Sequence, residues 1–407
     1  MSCRSLGVDD LSIETGKRNS ITWLGLLIAA GVPGMIQRFS GVELEPPVLA
    51  LLYGLGIVGG AFLLSWAAEA AQLDVSASLA IAVLALIAIL PEYAIEAALA
   101  WKAGASYDPV LAASTPQMGL VAANVTGSNR LLIGLGWPVV ILIFWAKRHK
   151  TLYLRGHISL ELIMLIAATA ATFLIFYMEQ VHLAVAGALI ALYILYLWLS
   201  SRKEQELMGT AALIGSLPAR QRRGAVVLLF LYSAAVILVA AEPFVDSLVE
   251  TGEKLGIDQF ILIQWIAPLA SESPEIIVAA LFSLRLNPQA GLTTVISAQV
   301  NQLTILIGSM AFIFSLSAGQ LLSFPLESRQ LVEFLLTSSV SVFAIVLIAP
   351  RLLGWKSGAV LLGLFIVHLP FTDVDSRQYF ALLYLGLSAG LLLWNLRQVR
   401  ERIDPTI

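Results

Sequence analysis

ASESPE, Ala270 to Glu275, lies inside the apolar run FILIQWIAPLASESPEIIVAALFSL, Phe260 to Leu284. Two carboxylates three residues apart stand where hydrocarbon is expected. Residues i and i+3 share a helix face, so Glu272 and Glu275 point at one place. Pro274 removes a backbone donor and crowds the preceding turn, which predicts a break or kink that frees carbonyls. LIAILPEYAIEAALAW, Leu86 to Trp101, echoes the pattern with Pro91, Glu92 and Glu96. One Pro-Glu interruption in each half of an apolar chain predicts a membrane transporter with its binding site at the midplane.

Composition sets the class. Hydrophobic residues make up 58% of the 407 and charged residues 13%, with a mean hydropathy of +0.87. Soluble domains carry about 25% charged residues. Apolar runs of roughly 20 residues, the length of a membrane span, recur along the whole chain. The net charge of −3 says little about partners. Cys3 is the only cysteine, so neither a disulfide framework nor a cysteine-rich metal site is expected. The first 20 residues are polar and lack the pattern of a cleaved secretory signal, so the first apolar run reads as a retained span.

Twelve apolar segments follow, at roughly 21–38, 47–71, 76–101, 112–146, 157–177, 181–199, 223–244, 257–284, 290–318, 330–350, 356–371 and 378–396. The fourth is too long for one straight span. It contains Pro116, Gly127, Gly134, Gly136 and Pro138, and it is expected to be broken or strongly tilted. With the N-terminus inside, Arg38, Lys102, Lys254, Arg329 and Arg377 fall outside, and Arg130 falls within a span. The other 18 of the 24 Lys and Arg residues are cytoplasmic. The charge rule therefore supports twelve spans in a cell membrane with both termini cytoplasmic. The parts are a tail at 1–20, a first half at 21–199, a linker at 200–222, a second half at 223–396 and a tail at 397–407. The stretch 242–258 reads as an acidic outside loop that is simply solvated. Glu69, Glu161 and Glu333 read as interfacial, and His368 as interfacial or a packed neutral ring.

Two passages match internally. Leu90 to Gly136 and Ser273 to Ser309 each open on Pro-Glu, pass a short loop and enter a helix with amides in its middle. Asn124 and Asn129 are those amides in the first, and Gln299, Asn301 and Gln302 in the second. Each passage then runs into LLIG or ILIG. Glu92 precedes Asn124 by 32 residues and Glu275 precedes Gln299 by 24, and the difference fits in the loop around Lys102 to Ser114. The alternation places the first loop outside and the second inside, as an inverted-topology repeat requires.

LPE followed by NVTGSN resembles the first α-repeat of the sodium/calcium exchanger superfamily of cation antiporters, and ESPE resembles the Pro-Glu motif of the second. The resemblance covers about 76–146 and 257–318. It implies an all-α polytopic membrane protein of about 12 transmembrane helices, with two inverted five-helix repeats plus one extra span at each end. It further implies exchange of Ca²⁺ for Na⁺ or H⁺, with no other cofactor. Glu92 and Glu275 match the family's paired acidic ligands and Asn124 its first amide ligand. Gln299 is the nearest second amide, with Asn301 and Gln302 as alternative registers. The family's Gly-Thr-Ser before Pro-Glu is replaced by Ile87, Ala88 and Ile89 in the first repeat and by Ala270, Ser271 and Glu272 in the second. The second repeat lacks GSN, and Arg130 follows GSN in the first where the family has an apolar residue.

Glu92, Glu96, Glu272 and Glu275 thus offer four carboxylates, and Ser271 one hydroxyl. An ionised side chain at the bilayer centre costs about 2.5–3.5 kcal/mol on insertion scales, so each needs a compensating partner. Ca²⁺ takes six to eight hard oxygens, and carboxylates, amide oxygens and freed carbonyls supply that kind. Arg130 is a candidate charge partner for Glu92 or Glu96. The missing hydroxyls and extra glutamates favour H⁺ over Na⁺ as counter-ion. The alternative is a monovalent cation/proton exchanger, or a chain of the same fold that no longer carries Ca²⁺. An enzyme is not expected: there is no HExxH zinc helix and no intramembrane Ser/His arrangement. The expected partners are the lipid bilayer and inorganic cations, with no nucleic acid, and the sequence carries no signal of oligomeric state.

Overall fold

The computed structural model describes residues 6–40, 42–74, 89–108, 115–154, 159–200, 207 and 209–403, with side chains from residue 19 to 396 apart from Ser159. Ile87, Ala88 and the start of the third predicted segment lie outside the described residues. So do the loop residues 109–114 and most of the charged stretch after Ser200.

The helices are α1 (Leu6–Ser40), α2 (Pro46–Ala71), α3 (Leu90–Ala105), α4 (Pro116–Leu131), α5 (Trp137–Arg148), α6 (Ser159–Met178), α7 (Leu183–Leu199), α8 (Gly209–Gly215), α9 (Ala219–Leu255), α10 (Gln259–Leu284), α11 (Pro288–Asn301), α12 (Ile307–Ser317), α13 (Ser328–Ile348), α14 (Trp355–His368) and α15 (Val374–Ile403). Among the described residues, nine helical stretches are long and apolar enough to cross a membrane, and α7 and α14 are shorter apolar helices. With α3, which covers the described end of the third segment, they fall on the twelve predicted segments. The helix starts follow local chemistry. Pro46, Pro116 and Pro288 stand in first turns, where no amide donor is needed. The Phe260 amide donates to Asp258 Oδ1 at 2.9 Å, and Glu327 with Gln330 forms a reciprocal cap on α13.

Several boundaries differ from the sequence expectation. Helix α1 begins at Leu6, within the predicted polar tail, and α15 runs on to Ile403. Helix α9 continues to Leu255, so most of the predicted acidic loop is helical, closed by Gly256 at φ 65°. Length explains this: a helix outside the hydrocarbon still satisfies its own backbone.

The Pro274 break is also corrected. Helix α10 passes through both Pro268 and Pro274 without interruption. Proline at position i orphans the carbonyl of i−4. For Pro274 that carbonyl belongs to Ala270, and Ser273 Oγ donates to it at 3.3 Å. For Pro268 it belongs to Gln264, against which Gly127 of α4 packs. A Cβ built on Gly127 would lie 1.9 Å from the Gln264 carbonyl oxygen. Only glycine permits α4 to approach α10 that closely.

The long fourth segment is not broken either. Helices α4 and α5 are joined by a π-helical turn, Leu132–Gly136, and α11 and α12 by another, Gln302–Leu306. One extra residue per turn absorbs the strain without ending the helix, a device found mostly at functional positions. A π-helical turn thus occurs in each repeat, one turn earlier in the second when LLIG and ILIG are aligned.

The chain forms two compact units, Met1–Ile95 with Ser201–Ile257, and Glu96–Ser200 with Asp258–Ile407. Each draws on both sequence halves. In the first, α2 packs on α1 and α9. Gly59 and Gly60 face the Leu27 carbonyl and Ile237, and Arg222 holds Asp74 at 2.6 and 2.9 Å. In the second, α10 packs on α4 and α11, and α13 on α15. Four two-residue strands complete it: β1 (Leu152–Tyr153), β2 (Gln180–Val181), β3 (Phe324–Pro325) and β4 (Leu352–Leu353). Strand β1 pairs antiparallel with β4, and β2 with β3. Strands β1 and β4 lie in connections that the charge pattern places on one side, and β2 and β3 in connections placed on the other. Exchanging the repeats converts one clip into the other.

Candidate functional site

Helix α10 presents Ser271, Glu272 and Glu275 from consecutive turns. Glu272 is fully buried and Glu275 half-buried. Their spacing puts both carboxylates on one face, and the two offer oxygens within 4.8 Å of each other. The Gln302 amide, from the first residue of the second π-helical turn, donates to Glu272 Oε1. Ser271 Oγ turns back to its own helix, 3.3 Å from the Ala267 carbonyl and 3.4 Å from that of Pro268.

Helix α3 carries Glu92 in its first turn and Glu96 one turn later, both buried. Asn124 of α4 donates from Nδ2 to Glu96 Oε2 at 2.7 Å. Within α4, Ser128 Oγ and Thr126 Oγ1 donate to backbone carbonyls one turn back at 2.9 and 2.6 Å. Both hydroxyls of NVTGSN are thus satisfied within the helix, whereas Asn124 reaches across to α3.

The amides of the second repeat separate into roles. Gln302 meets Glu272, whereas Gln299 Nε2 lies 3.4 Å from Ser341 Oγ on α13. Asn301 is buried. Asn129 is fully buried, and both its polar side-chain atoms lack a partner.

Arg130 does not face a repeat glutamate. Its Nη2 lies 2.5 Å from Glu333 Oε2 on α13, and its guanidinium sits over the Trp265 ring, 5.3 Å from the centroid. Glu333 also faces Arg377 Nε at 3.5 Å. Arg377 Nη2 donates to Gln264 Oε1 at 3.2 Å. Glu333, read as interfacial, is buried, and so is Arg377, read as an outside charge; His368 is buried too, as a packed ring rather than an interfacial one. Glu161 is buried as well. The reason is that neighbouring helices cover these span ends. The one available signal was position: Glu333 stands more than a turn inside an apolar helix, where a lone carboxylate demands a partner.

The family model described as sodium/calcium exchanger protein matches residues 46–202 and 225–372. No curated protein matches the sequence. Among solved structures, the chain is similar to one titled H⁺/Ca²⁺ exchanger CAX, with 37% identity, a TM-score of 0.85, and coverage of 95% of this chain and 99% of that one. It also shares the fold of native YfkE, at 16% identity, TM-score 0.62, and 88% and 99% coverage. A third likeness, to the sodium-calcium exchanger NCX_Mj, has 16% identity, TM-score 0.50, and 86% and 100% coverage. On a family match that spans both repeats, this chain belongs to the sodium/calcium exchanger protein family.

Proposed function

We propose that the protein is a secondary antiporter that exchanges Ca²⁺ for H⁺ by alternating access. The observation that carries this reading is the Glu272–Glu275 pair, two carboxylates with oxygens within 4.8 Å in the apolar part of α10. Like charges so placed do not both ionise without a counter-charge. A divalent cation supplies two positive charges and protons supply one each, so the two compete for the same oxygens. That competition couples their movements. Hard oxygen donors fit Ca²⁺. The 37% identity with a protein titled H⁺/Ca²⁺ exchanger supports protons as the counter-ion.

In this reading Glu275, Glu272 and Asn124 supply ligand oxygens, Gln302 orients Glu272, and Glu96 orients Asn124 while offering its own carboxylate. Glu92 enters as the first repeat's counterpart of Glu275, on sequence correspondence alone. The bilayer is a cell membrane with both termini in the cytoplasm, on the charge pattern. A cation tethered at the site, as Arg130 would be if it paired with Glu92 or Glu96, would favour the alternative of altered cargo. Arg130 is engaged by Glu333, which leaves that alternative with the missing hydroxyls alone.

The test is Ca²⁺ uptake into proteoliposomes under an imposed H⁺ gradient or, separately, a Na⁺ gradient, with Glu275→Gln as control. Uptake driven by the H⁺ gradient and lost in the variant is expected. Uptake driven only by Na⁺ would replace the counter-ion. An absence of Ca²⁺ movement under both gradients would overturn the reading.

A further inference from the structure

The second unit holds a buried charge cluster that includes none of the glutamates of the two Pro-Glu motifs, and its charges do not balance. Arg130 and Arg377 expose 0% and 1% of their surfaces, and one carboxylate, Glu333 at 1%, faces both. Two guanidiniums and one carboxylate leave one positive charge. Nearby charges do not cancel it from within. Arg329 is paired with Asp258 at 2.5 Å. Asp373 acts on Arg377 through space but makes no ion pair with it: it is solvent-exposed, caps the Ser376 amide at 2.8 Å, and stays outside the buried cluster.

The hydrogen-bond inventory leans the same way. Arg130 Nη1, Arg377 Nη1, Gln264 Nε2 and Trp265 Nε1 are buried donors with no acceptor. Arginine and the indole nitrogen donate only. The one amide acceptor among them, Gln264 Oε1, already takes Arg377 Nη2. His368 adds a single acceptor nitrogen, because its Nδ1 faces the Leu364 carbonyl at 3.1 Å and Nε2 has no partner. One neutral lone pair does not offset a cation. Water would satisfy the donors but not the charge, and an unpaired buried charge is strongly unfavourable.

We propose that this cluster binds a small monovalent inorganic anion of the halide class, held by the Arg130 and Arg377 guanidiniums with the Trp265 indole and Gln264 amide N–H groups. An ion of charge −1 closes the balance, and a spherical acceptor suits donors that arrive from α4, α10 and α15. The site would tie these helices together and make the stability of the protein depend on the anion. The inference does not rest on the cation that the exchanger carries.

The test uses the full chain in lipid nanodiscs. Sodium chloride is exchanged for sodium gluconate at constant ionic strength, and the melting temperature is followed. A saturable rise with chloride is expected. Glu333→Gln raises the local charge, so half-saturation should come at a lower chloride concentration. Arg377→Gln removes the excess, so the rise should vanish. Equal melting temperatures of the unaltered chain in both salts would overturn the proposal, as would a chloride response unchanged in both variants. Bromide-soaked crystals of the unaltered chain give a second reading that needs no variant. An anomalous peak in contact with both guanidiniums supports the site, and its absence from ordered, soaked crystals rejects it.

Discussion

Arg130 Nη2 lies 2.5 Å from Glu333 Oε2, and the two side chains expose 0% and 1% of their surface. The pair joins α4, which carries Asn124, to α13. Removing one partner of a buried ion pair costs about 3–5 kcal/mol, whereas replacing both with apolar groups is often neutral. Glu333→Ala should therefore lower the melting temperature steeply. Because Glu333 also faces Arg377, Glu333→Leu with both Arg130→Met and Arg377→Met should restore most of the loss. Thermal melts of the single and triple variants check this. A triple variant as unstable as the single would sink the idea that the cost lies in the stranded charges.

Gly127 sets α4 directly against the backbone of α10: a Cβ there would lie 1.9 Å from the Gln264 carbonyl oxygen. That oxygen belongs to backbone and has no rotamer to escape into. Gly127→Ala should cost about 1–3 kcal/mol through overpacking. Denaturation of the purified variant measures it. A wild-type melting temperature would show that the helices separate freely.

The second-repeat amides differ in what they touch. Gln302 donates to Glu272, and Gln299 faces Ser341. Losing a group that orients a ligand typically costs 10–100-fold in affinity. Gln302→Ala should raise the half-saturating Ca²⁺ concentration by about tenfold or more, while Gln299→Ala should leave it near the wild-type value. Flux measurements over a Ca²⁺ series compare them. The opposite order would move the register of the second repeat.

Asp74, in the turn after α2, is held by the Arg222 guanidinium, with Arg223 at 3.0 Å. These partners lower its pKa from the usual carboxylate value to about 2, and the hydrogen bond from Arg222 is the largest cause. A lowered pKa gives stability that is complete above the unfolded value, about 3.9. It is lost as the pH falls toward 2. Asp74→Asn should remove this acid-linked fall between about pH 4 and pH 2 and leave the rest of the profile unchanged. Melting temperatures across that range decide it, and identical acid profiles would exclude the link.

The strand clips predict sidedness. Tyr153 pairs with Leu352, and Gln180 with Pro325. In a Cys3→Ser background, cysteines at Tyr153 and Leu352 should react with an impermeant maleimide from one side of the membrane. Cysteines at Gln180 and Leu321 should react from the other. Labelling of all four from the same side would contradict the alternation.

Much of the fold was legible in the chain because a bilayer imposes length and composition on every span. The twelve apolar segments, the uneven spread of Lys and Arg among their connections and the two Pro-Glu passages are local or countable features, and the described helices fall on those segments. The break expected at Pro274 is absent, although the carbonyl it frees is there. Pro274 removes a donor, but Ser273 covers the orphaned carbonyl, so α10 continues. The sequence contains both residues without showing which way the hydroxyl turns.

Partnership across the fold was a matter for the tertiary structure. Asn124 and Glu96 are 28 residues apart, and Glu272 and Gln302 are 30 apart. Nothing in their spacing distinguishes Gln302 from Gln299, because the π-helical turn resets the helical phase where the choice is made. Arg130 and Glu333 stand 203 residues apart in the numbering, and only packing of α4 on α13 makes them a pair. By itself the sequence determined that this chain crosses a membrane and carries buried carboxylates in two related repeats. The tertiary structure decided which charges those carboxylates and arginines meet, because burial and pairing depend on neighbours that no local pattern encodes.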